Sequence, residues 1–126
     1  MPPNHRTLSR YARLLCLACL LCAPPVKADV SGWQLAANAL ILADWGQTRH
    51  IAANGEEDGY EETNPILGPR PSTSEVNLYF ASALVLTNGV GWLLPEPWER
   101  RWFIAVTAVQ GAVVAHNHSI GLRIEF

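Results

Sequence analysis

The sequence predicts an all-α integral membrane protein of three helices, and three observations carry that expectation. Of 126 residues, 49% are apolar and 16% charged, a balance unusually apolar for so short a chain. Three apolar segments of helical length follow a signal-like N-terminus. Each segment also carries Asp, Asn, Gln or Thr along one edge, and in lipid such an edge must turn inward, because an unpaired polar group there costs several kcal/mol.

Residues 1–28 have the parts of a secretory signal: Arg6, Arg10 and Arg13, the apolar run "LLCLACLLCA", and "VKA" before Asp29. The predicted domain is therefore 29–126. Cys16, Cys19 and Cys22 all fall inside the signal, so the mature chain is expected to hold no thiol or disulfide. Removing Arg6, Arg10, Arg13 and Lys27 leaves 5 of the 9 basic side chains against all 11 acidic ones, a net charge of −6. Nucleic acid, which needs clustered Lys and Arg, is excluded as a partner.

The first helix is expected over 33–48, with Ser31 and Gln34 in capping-box spacing. At 1.5 Å per residue it reaches about 24 Å, short of the roughly 30 Å of a hydrocarbon core. An irregular acidic loop, "NGEEDGYEETNPILGPRPSTS", should follow, since its prolines remove backbone donors and push preceding residues toward extended geometry. The second helix is expected over 75–94: Ser72 and Glu75 mark its start, and Val76 to Leu94 is 19 residues without a charge. "PEPWERR" turns the chain into a third helix over 98–117, with Trp92, Trp98 and Trp102 as interfacial anchors. Three crossings place Arg49, Arg70 and Arg123 on one side and Arg100 and Arg101 on the other. Ala39 with Ala43, Ala108 with Ala112 and Gly111 with Ala115 have the four-residue spacing that lets helix backbones approach.

At 100° per residue, Gln34, Asn38, Asp44 and Thr48 fall within about 120° of arc. Asn77 and Asn88 share one face of the second helix, and Thr107, Gln110 and Asn117 one face of the third. Asp44 is the sharpest of these, because an ionisable group in or near a span is costly. Its expected partners are Arg49 or Thr48. His116 and His118, two apart in "HNHS", and His50 offer a weak metal set whose spacing does not suit one helix face; no cofactor and no metal are assigned. The tail "SIGLRIEF" alternates like the last strand of an outer-membrane barrel, but 98 mature residues are few for eight strands, and the Ala-rich segments favour helices.

Taken together, "DWGQTRHIA", "ETNPILGPRPS", "VNLYF" and "AHNHSIGLRIEF" resemble a group of small bacterial membrane proteins. The group shares a late-helix Asp and Gln-Thr, a Glu-x-Asn-Pro loop and an Asn near the end of the last helix. The resemblance implies a membrane address and a helical fold and transfers no catalytic residue. It focuses attention on Asp44, Gln47, Thr48, Glu62, Asn64 and Asn117, which form one polar cluster if the loop folds back on the helix ends. The expected role is an accessory or assembly subunit of the bacterial inner membrane, exported with a cleaved signal. Its partners would be the lipid bilayer and a membrane protein or a second copy of the chain. Two competing readings are an enzyme using Asp44 or Glu62 as base near His116 or His118, and a lysis or permeability protein.

Overall fold

The structure, a computed structural model, describes residues 30–126; the predicted signal and its three cysteines lie outside them. Three helices follow one another: α1 (Gly32–Asp58), α2 (Thr73–Leu93) and α3 (Trp98–Ser119), with no strand among the described residues. The helical prediction holds, with two corrections.

The first correction concerns the end of α1. It runs ten residues beyond the expected Thr48, through "RHIAANGEED". Nothing in that stretch breaks a helix until Gly59, which takes a left-handed conformation (φ 76°) and donates its N–H to the Gly55 carbonyl. Gly55 is required inside the last turns: a Cβ there would stand 2.9 Å from the Tyr60 carbonyl oxygen, where the chain doubles back. The acidic run is thus the end of a helix as much as a loop.

The second correction concerns apolarity. Among the described residues, only α2 is long and apolar enough to cross a membrane by length and composition. The continuation of α1 brings in Asn54, Glu56, Glu57 and Asp58, while α3 begins with Glu99, Arg100 and Arg101 and ends in His116, Asn117 and His118. Each dilutes an otherwise apolar segment.

Local signals explain the starts. The Ser72 hydroxyl accepts from the Glu75 N–H, and the Glu75 carboxylate accepts from the Ser72 N–H, a complete capping box for α2. For α1 only half of the predicted box forms. Ser31 accepts from the Gln34 N–H, but the Gln34 side chain turns away and donates to Asn88 of α2 at 2.8 Å.

Packing places α1 at the centre. It contacts both other helices extensively, whereas α2 and α3 touch each other least. Ile41, Val76 and Phe80 form the apolar core, with Trp45 stacked on Phe80 at 6.1 Å between ring centroids. Of the predicted small-residue pairs, Gly111 meets Leu40 in a close approach while Ala39, Ala108, Ala112 and Ala115 are exposed, and the tightest approach, Phe103 over Gly91, uses a glycine outside those pairs. Trp102 also departs from its predicted role, donating its indole N–H to the Thr87 carbonyl inside the hairpin at 2.9 Å.

The surface is unusually apolar, and polar groups are buried beside the apolar core. Gln47 and Thr48 are 1% and 2% exposed and Asp44 8%, whereas Val85 of α2 is 72% exposed and Val109 of α3 64%. A few polar side chains are thus enclosed beside the apolar core of Ile41, Val76, Phe80 and Phe103, while many other large apolar ones face out.

Candidate functional site

The predicted polar edges meet along α1, on two faces rather than one. Gln34 and Asn38 look toward α2, where Asn88 accepts from both amides and returns a hydrogen bond to the Asn38 carbonyl oxygen at 2.8 Å. Three turns away Asn77 accepts from the Trp45 indole N–H at 3.0 Å and from Arg49 at 2.7 Å. Asp44 and Gln47 look toward α3: Asn117 donates to Asp44 at 3.2 Å, and Gln47 donates to the Val114 carbonyl at 3.3 Å. Thr107 reaches the Trp33 carbonyl at 3.4 Å.

Arg49 is therefore not the partner of Asp44. Five residues separate them, which puts them about 140° apart around the helix. Neither is Thr48, which is buried between the two faces. The partner comes from α3.

The Glu-x-Asn-Pro loop has its own turn chemistry. The Glu62 carboxylate accepts from the Asn64 N–H at 2.8 Å, and the Asn64 side-chain oxygen accepts from the Ile66 N–H at 2.9 Å. A backbone bond from Glu62 to the Pro69 carbonyl closes the loop at 3.0 Å. This fold-back leaves Glu62 close enough for its charge to act on Asp44. Of the six candidates, Asp44 and Asn117 are hydrogen-bonded across the α1–α3 contact, Gln47 reaches α3 through the Val114 carbonyl, Thr48 is buried on α1, and Asn64 donates its N–H to Glu62 within the loop turn. The Gln47 amide oxygen is buried without a hydrogen-bond partner among the described residues.

The structure adds a second cluster that sequence reasoning missed. Buried His50 is bracketed by two carboxylates, Asp58 at 3.2 Å from Nε2 and Glu125 at 2.9 Å from Nδ1. Asn54 also donates to Glu125 at 2.9 Å, and Tyr60 donates to the Ile120 carbonyl at 2.8 Å. Among the described residues no three His, Cys, Asp or Glu side chains gather as a metal site; His116 and His118 lie exposed on α3, and His50 belongs to this clamp instead. The missed signal was the tail itself. Its alternation is that of an extended strap across α1: Leu122 is buried, Ile124 rests over Gly46, and Phe126 meets Trp45 edge-on at 6.2 Å. The Glu125 N–H donates to the Gly46 carbonyl at 3.1 Å. The barrel reading of this tail fails, since no strand forms among the described residues.

The Glu125 carboxyl is held below the usual carboxylate range, first by its hydrogen bond from His50 and also by Asn54 and the Arg49 charge. A carboxylate with a lowered folded pKa stabilises the docked tail above its unfolded value and loses that contribution as pH falls through the folded one. The Ile124 methyl resonance is therefore expected to stay put at neutral pH and move toward its free-tail position below about pH 4. Glu125→Gln should remove that transition. A wild-type signal unchanged through acid would show that the carboxylate does not hold the strap.

Compared with known protein families, curated proteins and solved structures, the chain gives no match.

Proposed function

We propose that this chain is a three-span protein of the bacterial inner membrane, delivered by a cleaved signal, which acts as an accessory or assembly subunit. The exposed apolar surface carries the reading: Val85, Leu86, Leu93 and Val109 are open to the surroundings, while Asp44, Gln47 and Thr48 are enclosed beside the small apolar core. Hydrocarbon is the solvent that suits such a surface. The signal-like N-terminus and the resemblance to small bacterial membrane proteins support the address. α1 and α3 would cross beside α2, with Asp44, Asn38 and Asn117 hydrogen-bonded within the bundle and the Gln47 and Gln110 amide oxygens buried without a partner among the described residues.

An accessory role is favoured over an enzyme by what the polar groups do. Asn38 pairs with Asn88, Asp44 with Asn117, and His50 with Asp58 and Glu125. The first two pairs join helices to one another and the third fastens the tail to α1, and the outward apolar faces of α2 and α3 are available to lipid or another membrane protein.

The protein is expected in the membrane pellet after alkaline carbonate extraction, with Asp29 as its first residue. Gentle detergent extraction and mass spectrometry should recover a membrane-protein partner in fixed ratio or a homo-oligomer. Release into the carbonate supernatant would overturn the membrane reading, and recovery only as a monomer would overturn the subunit role.

A further inference from the structure

We infer that the end of the bundle where the tail crosses α1 binds one zwitterionic aminophospholipid, its phosphate on Arg123 and its ammonium at Asp58. This rests on the membrane reading above and adds an occupant to it. Two clefts adjoin at this place. One, of about 520 Å³, is walled mainly by the apolar side chains of Val114, Leu122 and Ile124, with Gln47 and His118 at its edges. The other, of about 330 Å³, is lined by His50, Asp58 and Tyr60 and is mostly polar. Gly121 and Arg123 line both.

The order along α1 gives the pair a direction. Gln47 of the apolar cleft comes first, then His50 and Asp58 of the polar one, so the lining turns from apolar to polar toward the acidic end of the bundle. A phospholipid has the same sequence of tail and headgroup. Arg123 stands at the boundary, exposed and without an ion pair among the described residues. Its planar fork of donors suits two phosphate oxygens.

Charge complementarity selects the headgroup. Asp58 directs one oxygen to His50 and keeps its side chain 43% exposed, while Glu125 stands behind the same imidazole. A purely anionic headgroup at Arg123 would meet these carboxylates. An ethanolamine-type headgroup instead places its ammonium beside Asp58 while its phosphate occupies Arg123.

The test is native mass spectrometry of the full chain released from detergent micelles containing equal phosphatidylethanolamine and phosphatidylglycerol. One retained ethanolamine lipid per chain is expected. Arg123→Ala should lower that adduct about tenfold, and Val114→Phe, which fills the apolar cleft, should lower it comparably. Asp58→Asn should leave total lipid retention but erase the preference for ethanolamine. Circular dichroism of each variant checks that the helices persist. Retention that ignores Arg123→Ala, equal retention of the two headgroups by the wild type, or displacement by inorganic phosphate would each overturn the assignment. Carbonate extraction of the same cells separates the two levels: a pelleted chain that retains no lipid ends this inference alone, whereas a chain in the supernatant ends the membrane reading as well.

Discussion

Phe103→Ala is expected to cost the bundle about 2–4 kcal/mol, most of it the unfilled space left by the ring. Phe103 is fully buried, and its ring tip lies where Gly91 leaves room: a Cβ on Gly91 would stand 2.4 Å from Cζ. If the bundle sits in lipid, as proposed, the tails compete with the core for apolar contact, so close packing rather than transfer from water would hold the helices together. Gly91→Ala should destabilise by about 1–3 kcal/mol for the opposite reason, because a buried ring has nowhere to swing. The two changes share one space, so the double variant should lose less than the sum of the single losses. Unfolding of the four proteins in mixed detergent micelles measures this, and strict additivity would show that ring and glycine do not depend on each other.

Asp44→Leu should strand the Asn117 amide, which has Asp44 as its acceptor at 3.2 Å. Each stranded group costs about 1–3 kcal/mol. Asp44→Asn keeps the shape and an acceptor oxygen, so it should remain within about 1 kcal/mol of wild type. A structural Asp44 predicts that a cellular phenotype tracks stability: Leu fails and Asn passes. A stably folded Asp44→Asn protein that has lost its function would mean that the charge acts in the chemistry, and the enzyme reading would then displace the accessory one. Equal tolerance of both changes would mean that the contact with Asn117 contributes nothing.

Helix positions were legible because their signals are local. Ser72 and Glu75 mark the start of α2 and prolines mark its end, so the predicted and observed bounds differ by one or two residues. The end of α1 was misplaced because the fall in hydropathy after Thr48 was read as the end of a helix. Polarity marks where a helix leaves an apolar medium, whereas a conformational stop needs a residue such as Gly59 that accepts positive φ. The polar cluster was legible in part. Helical phase put Asp44 on an inward face, and the Glu-x-Asn-Pro spacing suggested a loop that folds back. Which side chain meets which lay beyond that projection, since Arg49 is nearer Asp44 in sequence than Asn117 by 68 residues and yet points to another helix.

By itself the sequence determined three helices, their starts, inward polar groups on each and the irregular proline-containing part of the connection between the first two, though not that its acidic opening continues α1. These follow from periodicity, capping and backbone preference, which act over a few residues. Only the tertiary structure decided that α1 is the central helix, that Asp44 answers to Asn117, and that the alternating tail is a strap closed by His50 and Glu125 across 75 residues. Those pairings depend on the relative rotation and depth of whole helices. That registry is set by many weak contacts at once, Phe103 over Gly91 and Ile124 over Gly46 among them, and no short stretch of the chain encodes it.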